Sequence, residues 1–321
     1  MEIIGLDLHQ RESPLSSKAD EGTITDRRIV TSRERFTTVL GARPRARILL
    51  EAGTESEWVA RHLESLGHEV IVADPNDAPM YANRSRRTKT DTRDARTLMD
   101  ACETGARRPA YRLSEARRHV RAELAVRDAL VRTRTRYIAL AKALVRRDGL
   151  RVPTSASAWV PTRITELELS PVLTTELEPL FAVFTPLNAQ IAVADARIAA
   201  FAKEDPIATR LTTAPGVGPV TASVFVATMD DITRFRSAHE LEAYLGVVPS
   251  ERSSGEKRQL GHITKAGYGR IRWLLVEAAW HILQSKSPQT AGILYAMWRD
   301  GVPYDAQQLR PRANAAPIRA A

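Results

Sequence analysis

The stretch Arg47-Ile-Leu-Leu-Glu-Ala-Gly53 decides the fold of the first part of the chain. A short apolar run that ends at a glycine is typical of a buried β-strand. The segment after it places Trp58, Val59 and Leu63 on one face of a helix, and Glu69-Val-Ile-Val-Ala73 is the next apolar run. Strand, helix and strand in this order predict an α/β domain with parallel strands.

The opening of the chain repeats this pattern. Ile3-Ile-Gly-Leu-Asp-Leu8 is an apolar run interrupted by one acid, Asp7, as Glu51 interrupts the run described above. An unpaired carboxylate inside a core is costly unless a metal ion or a cation meets it. We therefore expect both acids at strand ends that face a cleft. Between the two runs, Pro14-Leu-Ser-Ser17 is poor strand material.

A second pair of acids, Asp91 and Asp94, opens a predicted helix and lies on one face of it. These residues could serve the helix alone, with Asp91 as N-cap and Asp94 in the first turn. Together with Asp7 and Glu51, however, they are the oxygen ligands that a Mg²⁺ site needs. Basic residues around the pair would hold a phosphate backbone nearby: Arg84, Arg86, Arg87, Lys89 and Arg93.

Composition narrows the class of protein. The chain has 321 residues and a net charge of +9, which suggests a polyanionic partner such as nucleic acid. Its single cysteine excludes an internal disulfide and an all-cysteine metal site, and fits a reducing cytoplasm. No apolar run approaches the length that spans a bilayer, and the N-terminus lacks the basic start of a signal peptide. We therefore predict a cytoplasmic protein of the nucleoid, with no membrane partner.

Residues 107–151 form a strongly basic helical region with few acids to balance it. An exposed, merely solvated helix could show this pattern, but we favour a nucleic-acid-binding face. Its predicted contacts are Arg127, Arg132, Arg134 and Arg136. Apolar positions between residues 164 and 201 then suggest two helices suited to pairing or oligomerising. Pro171, Pro179 and Pro186 argue against one continuous coiled coil.

The last part of the chain begins at Ala214-Pro-Gly-Val-Gly-Pro219. Gly216 and Gly218 between helices resemble the hairpin of helix-hairpin-helix modules, whose backbone N–H groups contact phosphates. The motif is not a dinucleotide fingerprint, because no strand precedes it and the third glycine is missing.

The stretch from Pro249 to Gly267 combines adjacent serines, Ser253 and Ser254, with glycines and basic residues in one predicted loop. A helix from Arg270 to Trp280 follows. A serine that attacks phosphorus needs cations to stabilise the phosphoryl oxygens. A solvated loop whose serines and glycines only build turns is the alternative. The predicted nucleic-acid contacts here are Lys257, Arg258, Lys265, Arg270 and Arg272.

Ordered motifs over most of the chain resemble the insertion-sequence transposases related to the Piv DNA invertase, a family of bridge-RNA-guided DEDD serine recombinases. Gly5-Leu-Asp7, Leu50-Glu-Ala-Gly53 and Lys89-Thr-Asp-Thr-Arg-Asp-Ala95 are similar to that family's RuvC-like domain. Its C-terminal transposase domain is matched by Pro215-Gly-Val-Gly218, Tyr244-Leu-Gly246, Pro249, Ser253-Ser-Gly255 and Ile263-Thr-Lys-Ala-Gly267. Each motif is weak alone, but the ordered set is specific.

The resemblance implies a fold in four parts. These are an α/β domain of the RNase H or RuvC type at 1–106, a basic helical linker and oligomerisation region at 107–205, a mainly α C-terminal domain with a helix-hairpin-helix-like motif at 206–300, and a disordered tail at 301–321.

It also implies a composite active site. Asp7, Glu51, Asp91 and Asp94 would bind Mg²⁺ (or Mn²⁺), and Ser254 would join DNA through a phosphoserine bond, with Ser253 as the alternative nucleophile. Family members act as oligomers on two DNA duplexes under the direction of a structured guide RNA. The implied partners are therefore donor and target DNA, a guide RNA and further copies of the chain, as a dimer or tetramer.

Two departures from the family pattern suggest a shortened copy. After the segment from Trp280 to Thr290 the chain passes at once into the segment from Ala291 to Trp298. Relatives usually have another helix and a basic turn between these two segments. The segment from Pro14 to Lys18 is also less strand-like than the family's second strand. Two alternatives stay open. One is a metal nuclease like the Holliday-junction resolvases, in which only the four acids act, and the other is a nucleic-acid-binding protein with relic catalytic residues.

Overall fold

The computed structural model describes residues 1–75, 91–251, 259–283 and 290–305. The chain divides into two compact units, Met1–Arg112 and Leu113–Ala321. The sequence-based division of the second unit at residue 205, and the tail from 301, stay predictions.

The first unit is built on a five-stranded mixed sheet. Its strands are β1 (Ile3–Leu6), β2 (Glu12–Lys18), β3 (Ile24–Val30), β4 (Arg47–Glu51) and β5 (Glu69–Ala73), in the spatial order β3-β2-β1-β4-β5. The strands β1, β4 and β5 are parallel, while β1, β2 and β3 pair antiparallel. The helices are α1 (Arg33–Leu40), α2 (Ser56–Ser65) and α3 (Asp91–Thr104). The predicted α/β domain with parallel strands is confirmed.

Strand β2 corrects the expectation that Pro14-Leu-Ser-Ser17 would not form a strand. The hydroxyls of two buried serines find partners on or beside β3: Ser13 Oγ lies 2.7 Å from Thr31 Oγ1, and Ser16 Oγ donates to Asp26 at 2.7 Å. Pro14 lies one residue beyond the last rung of the β1–β2 ladder, Leu6–Leu15, and its carbonyl accepts from the Asp7 N–H at 3.0 Å. A proline there removes no interior hydrogen bond. The segment from Pro14 to Lys18 therefore differs from the family's second strand in its amino-acid composition, although it does form a strand.

Alternate residues of the sheet face two different helical layers. One face packs Ile4, Leu6, Ile48 and Leu50 with apolar residues of α1 and α2. The opposite face packs Leu49 and its neighbours against α3. The unit therefore has three layers, with α3 alone on the second face among the helices described.

In the part of the second unit that the structure describes, the regular elements are helices and one hairpin. Its elements are α4 (Glu115–Arg147), α5 (Val160–Thr165), α6 (Pro171–Glu204), α7 (Pro206–Leu211), α8 (Pro219–Met229), α9 (Ala238–Leu245), β6 (Pro249–Glu251), β7 (Leu260–Ile263), α10 (Gly269–Leu283) and α11 (Thr290–Asp300). The largest apolar cluster surrounds α8, which is buried along most of its length. The predicted helical C-terminal region is confirmed.

Helix α6 is continuous through Pro179 and Pro186, contrary to the expectation that the prolines divide this region. Only Pro171 acts as a boundary, at the start of the helix after the N-cap Ser170. A proline inside a helix removes a hydrogen bond at a cost of about 3 kcal/mol. Apolar residues of α6 packed on its neighbours offset that local cost, as Leu173 and Leu177 do beside α4.

Helix α6 is also long and apolar enough, by length and composition only, to cross a membrane. The expectation that no apolar run approaches this length was therefore wrong. A single such helix is weak evidence for a membrane. In the structure α6 is paired with α4 through Arg127–Asp195 at 2.5 Å and Arg147–Glu176 at 2.6 Å.

Candidate active site: an acidic sheet edge and a serine hairpin

The parallel strands β1 and β4 end side by side and bring two of the predicted acids together. Leu6 pairs with Leu50 in the register, so Asp7 and Glu51 follow on the next rung. The backbone of Asp7 still bonds to β2, which keeps this residue extended. Because side chains alternate along a strand, both acids point to the sheet face that α3 covers.

Helix α3 lies directly on β1 at Gly5. A Cβ built on Gly5 would collide with the carbonyl oxygen of Ala95 and the amide nitrogen of Met99. Only glycine permits this backbone-to-backbone approach. Gly5 is the residue that brings α3 down onto the strand carrying Asp7, and Asp94 directly precedes Ala95.

The direction of α3 follows from its other contacts. Near the C-terminal end of the helix, Glu103 pairs with Lys18 at 2.6 Å, and Lys18 is the register partner of Ile3 at the start of β1. The N-terminal end of α3 therefore lies towards the end of β1. We call Asp7, Glu51, Asp91 and Asp94 the acidic edge; the side chain of Asp91 lies outside the described atoms.

An ion pair with β3 fixes the middle of α3. The guanidinium of Arg96 donates to both carboxylate oxygens of Asp26, with Nε at 3.0 and 3.1 Å. The hydrogen bond from Arg96 lowers the pKa of Asp26 below its ordinary value, and the hydroxyl of Ser16 adds to this effect. The helix that carries two of the acids is thus held by charge as well as by apolar packing.

The structure adds a residue that the sequence reasoning missed, His9. Its Nε2 lies 3.2 Å from Asp7 Oδ2; the His9 side chain is 49% exposed and that of Asp7 15%. The backbone of His9 is held by hydroxyls: its N–H donates to Ser13 Oγ at 3.2 Å, and its carbonyl accepts from Thr31 Oγ1 at 2.7 Å. The spacing could have indicated this contact, since residues two apart at a strand end share a face.

The donor chemistry of the acidic edge fits a divalent cation of the Mg²⁺ type, which prefers carboxylate oxygens. Within the described ranges, however, no group of three or more His, Cys, Asp or Glu side chains lies close enough to hold a metal ion. The backbone of Asp91 begins α3, and a metal site that includes its side chain stays a prediction.

The predicted loop from Pro249 to Gly267 is partly a hairpin. Strands β6 and β7 pair antiparallel, with Pro249 opposite Ile263 and Glu251 opposite Leu260. Residues 252–258 connect them, and the predicted Ser253, Ser254, Lys257 and Arg258 lie there, outside the described residues. The pairing fixes where the serine-bearing segment leaves and rejoins the fold.

Two glycines join the base of this hairpin to helix α9. Gly246 ends α9 with φ +68°, and Gly267 has φ +67°. A Cβ on Gly246 would collide with the backbone of Ala266, and one on Gly267 would lie 2.5 Å from the carbonyl oxygen of Tyr244. Both glycines are needed for close approach as well as for a positive φ.

Arg272 of α10 completes the same junction. Its guanidinium donates to the carbonyls of Leu245 and Gly267 at 3.2 Å each, and to that of Ala266. The sequence predicted Arg272 as a nucleic-acid contact. The structure places its charge on three backbone carbonyls, where it holds the hairpin base to α9 and α10.

Most of the arginines predicted to bind nucleic acid along α4 have partners within the unit. Arg127 pairs with Asp195 at 2.5 Å, Arg132 with Asp128 at 2.9 Å, and Arg134 donates to Asn188 at 3.2 Å. Arg136 and Lys265 are exposed. Arg93 is exposed at the start of α3, and the predicted Arg84, Arg86, Arg87 and Lys89 lie outside the described residues.

Arg270 is a buried structural residue, which its prediction as a nucleic-acid contact did not foresee. Its side chain is 7% exposed and pairs with Asp128 of α4. Burial lowers the pKa of this guanidinium, and the charge of Arg127 lowers it further. An arginine that is desolvated in this way ties α10 to α4 and offers little charge to a phosphate backbone.

Gly216 and Gly218 lie in the turn between α7 and α8, as predicted for a motif between helices. Gly216 has φ +73°, and Gly218 is the N-cap of α8. Pro219 follows at the first position of that helix. The two glycines thus lie in a turn between two helices, and the contact of this turn with phosphate stays a prediction.

Two family models match the chain, one in the region of the acidic edge and one in the region of the β6–β7 hairpin. A model described as a transposase, of the DEDD type of IS110, matches residues 4–147, which include the acidic edge. A second, described as the transposase IS116/IS110/IS902 family, matches residues 208–294, which include the hairpin.

Curated proteins show the same relationship. The chain is 28% identical over 305 residues to the transposase for insertion sequence element IS1328 of Yersinia enterocolitica, covering 93% of this chain and 88% of that protein. It is 30% identical over 247 residues to a protein of Pseudomonas aeruginosa named "Probable family 20 transposase", covering 74% and 71%. It is 25% identical over 295 residues to the transposase for IS1111A of Coxiella burnetii, covering 90% and 80%.

Proposed function

Because the chain belongs to the IS116/IS110/IS902 family of insertion-sequence transposases, we propose that it cuts and rejoins DNA with the acidic edge and a serine of the β6–β7 hairpin. The observation that carries this proposal is the placement of the acids. Asp7 and Glu51 end adjacent parallel strands, and Gly5 brings the helix of Asp91 and Asp94 onto the same sheet face.

The acidic edge would hold a divalent metal ion, as the DEDD family suggests. Asp7, Glu51, Asp91 and Asp94 are its proposed ligands, with Mg²⁺ or Mn²⁺ as the ion. When bound, such an ion supplies charge that stabilises the phosphoryl oxygens in the transition state. The acids would position the ion, and His9, whose Nε2 lies 3.2 Å from Asp7 Oδ2, would orient that carboxylate.

The proposed nucleophile is Ser254, with Ser253 as its neighbour. The Ser254 Oγ forms a bond to phosphorus while the bond from phosphorus to one deoxyribose oxygen breaks. The serine hydroxyl loses its proton, and the departing oxygen takes one up. Attack by a deoxyribose hydroxyl then reverses the exchange and frees the serine. The phosphoserine diester conserves the energy of the original linkage, so rejoining needs no external energy source.

Partners follow from the surface of the second unit. The basic helix α4 supports binding of nucleic acid, including a structured guide RNA, through backbone phosphates. Exposed apolar residues on α4 and α6, among them Val126 and Val193, line a shared groove. This groove supports pairing with another copy of the chain, as a dimer or tetramer.

The proposal is tested by a strand-cleavage and joining assay with purified full chain and DNA that carries the ends of its own element. We expect activity with Mg²⁺ or Mn²⁺ that EDTA abolishes. Asp7→Asn and Asp91→Asn should lower the rate by at least about 100-fold, since each removes a ligand charge. DNA binding should persist, because one charge is a small part of a chain with net charge +9.

Asp20→Asn is the matched control, since Asp20 is an exposed acid that pairs with the N-terminus far along the sheet from β1's end. It should leave the rate unchanged. Recombination by Asp91→Asn at the wild-type rate would remove the metal-site assignment. Cleavage that depends on metal but not on Ser254 would instead indicate the nuclease alternative.

A further inference from the structure

The end of helix α4 carries a group of cations that has no part in the contacts described so far. Lys142, Arg146 and Arg151 surround a cavity of about 380 Å³, whose apolar wall is formed by Leu150 and Val152. We call this the α4-end pocket. Among the residues that the structure describes, none of the three cations has an ion pair or a side-chain hydrogen bond.

The nearby acids are already neutralised by a different residue. Arg147 donates to Asp148 at 3.0 Å and to Glu176 at 2.6 Å, on the side of α4 that faces α6. Its neighbour Arg146 is exposed and has no ion pair with any residue that the structure describes. Within the described part of the unit, the positive charge of the α4-end pocket is thus not balanced by an acid.

The cations are not needed to cap the helix. Gly149 has φ +81°, its N–H donates to the carbonyl of Arg146 at 3.0 Å, and the N–H of Leu150 donates to that of Val145 at 3.1 Å. This is a Schellman motif, which satisfies the last carbonyls with backbone donors. Lys142 and Arg146 are also four apart, and like charges at this spacing destabilise a helix by roughly 0.2–0.5 kcal/mol.

The pocket wall is fixed in place. Leu150 and Val152 pack against the apolar cluster that contains Val145 and Ile164. Arg151 lies between them in the chain, so its backbone is held on both sides. The backbone that carries the three cations is therefore held by helix α4 and by the packing of Leu150 and Val152.

Resting on the proposed function, we propose that the α4-end pocket binds the sugar–phosphate backbone of a nucleic acid that the transposase holds, either its DNA or a structured RNA. Three neighbouring cations without an acidic partner among the described residues suit phosphate oxygens. The volume of the pocket is at the lower end of the range for ligand sites, about 300–1,000 Å³. Phosphate binding is thereby placed at the end of α4. Arg127 and Arg132, which the sequence predicts as nucleic-acid contacts, instead form ion pairs with Asp195 and Asp128.

The test is the salt dependence of binding, measured on a random-sequence DNA duplex and on a stem-loop RNA. Each phosphate contact adds about 0.9 to the slope of log affinity against log salt for duplex DNA, and about 0.7 for single strands. Neutralising the pocket with Lys142→Gln, Arg146→Gln and Arg151→Gln together should lower the slope by about 2–3 on at least one probe. The probe that responds identifies the source of the phosphate.

A matched control removes the same number of charges from paired positions: Arg127→Gln, Arg132→Gln and Arg147→Gln. This variant should change the slope by less than about 1, because acids already neutralise these residues. Circular dichroism and the melting temperature establish that both variants fold, and Arg146→Glu alone is the fallback if either does not.

The outcomes separate the two proposals. An unchanged slope for the pocket variant on both probes, with wild-type binding intact, would overturn the α4-end pocket and leave the transposase proposal standing. A wild-type chain that binds neither probe would overturn nucleic-acid binding itself, and this inference with it.

Discussion

The acidic edge and the serine hairpin are built in opposite ways. Regular structure sets the positions of the acidic edge, because two parallel strands end together and a helix lies on one of them through Gly5. A short two-stranded ladder carries the hairpin, and Gly246, Gly267 and Arg272 join its base to two helices. Strand pairing and a helix laid on a strand therefore position the acids, whereas two glycines and one arginine hold the hairpin at its base.

Gly5→Ala tests the contact between β1 and α3 at the acidic edge, and we expect it to have the largest effect on stability. The added Cβ would collide with backbone atoms of α3, which cannot move aside as the end of a side chain can. We therefore expect the free energy of unfolding to fall by at least about 3 kcal/mol. Hydrogen exchange of peptides from β1 and α3 measures it. Gly53→Ala is the control, since a Cβ there meets nothing within 4 Å. Equal protection in both variants would show that α3 does not rest on Gly5.

Gly246→Ala tests the hairpin side. The substitution combines a positive φ with a collision against Ala266, and we expect a loss of about 2–3 kcal/mol in the protection of α9 and β7. Gly301→Ala separates the two causes, because Gly301 has φ +68° but open space around it. Gly301→Ala should lower the free energy of unfolding by about 1 kcal/mol. If Gly246→Ala lowers it by a similar amount, the close approach of Gly246 to Ala266 contributes nothing to stability.

His9→Ala sharpens the description of the acidic edge. Removing the group that contacts Asp7 should weaken Mn²⁺ binding by about 10-fold, as loss of a residue that orients a metal ligand does. Calorimetric titration of the full chain with Mn²⁺ measures this. His9→Gln keeps a side-chain donor and should recover part of the affinity. Unchanged affinity in His9→Ala would exclude His9 as a positioning residue.

The smallest effect concerns the acid stability of the first unit. The pKa of Asp26 is lowered by Arg96, so this pair stabilises the fold above the ordinary carboxyl pKa, near 4. That contribution is lost as pH falls through the lowered pKa. Arg96→Gln should therefore reduce stability at neutral pH by less than about 1 kcal/mol, since the pair is largely solvated. Melting temperatures at pH 6 and pH 3 should differ less in the variant; an unchanged difference would contradict this.

The first unit was largely predictable because its signals are local. The apolar run of β4, the amphipathic α2 and the run of β5 each carry their own pattern, and all three elements formed where predicted. Strand β2 was not predicted because serines favour a buried strand only where their hydroxyls find hydrogen-bond partners. Here Thr31 and Asp26, on or beside β3, are those partners.

In the second unit the missed features are all tertiary. Packing on neighbouring helices holds α6 together through Pro179 and Pro186. Arg270 looks like any basic residue in the sequence, and only its contact with Asp128 shows that it is buried. The charges of α4 likewise divide into paired and unpaired groups only when α6 is in place.

The most direct test of the central proposal is to trap and map a protein–DNA adduct. Wild-type chain is incubated with DNA carrying the element ends and the divalent ion, denatured, digested with a protease and analysed by mass spectrometry. We predict a nucleotide attached to the peptide of Ser254, lost in Ser254→Ala and in Asp7→Asn, and kept in Ser253→Ala. Metal-dependent cleavage with no adduct in the wild-type chain, or an adduct that survives Ser254→Ala and Ser253→Ala together, would contradict it.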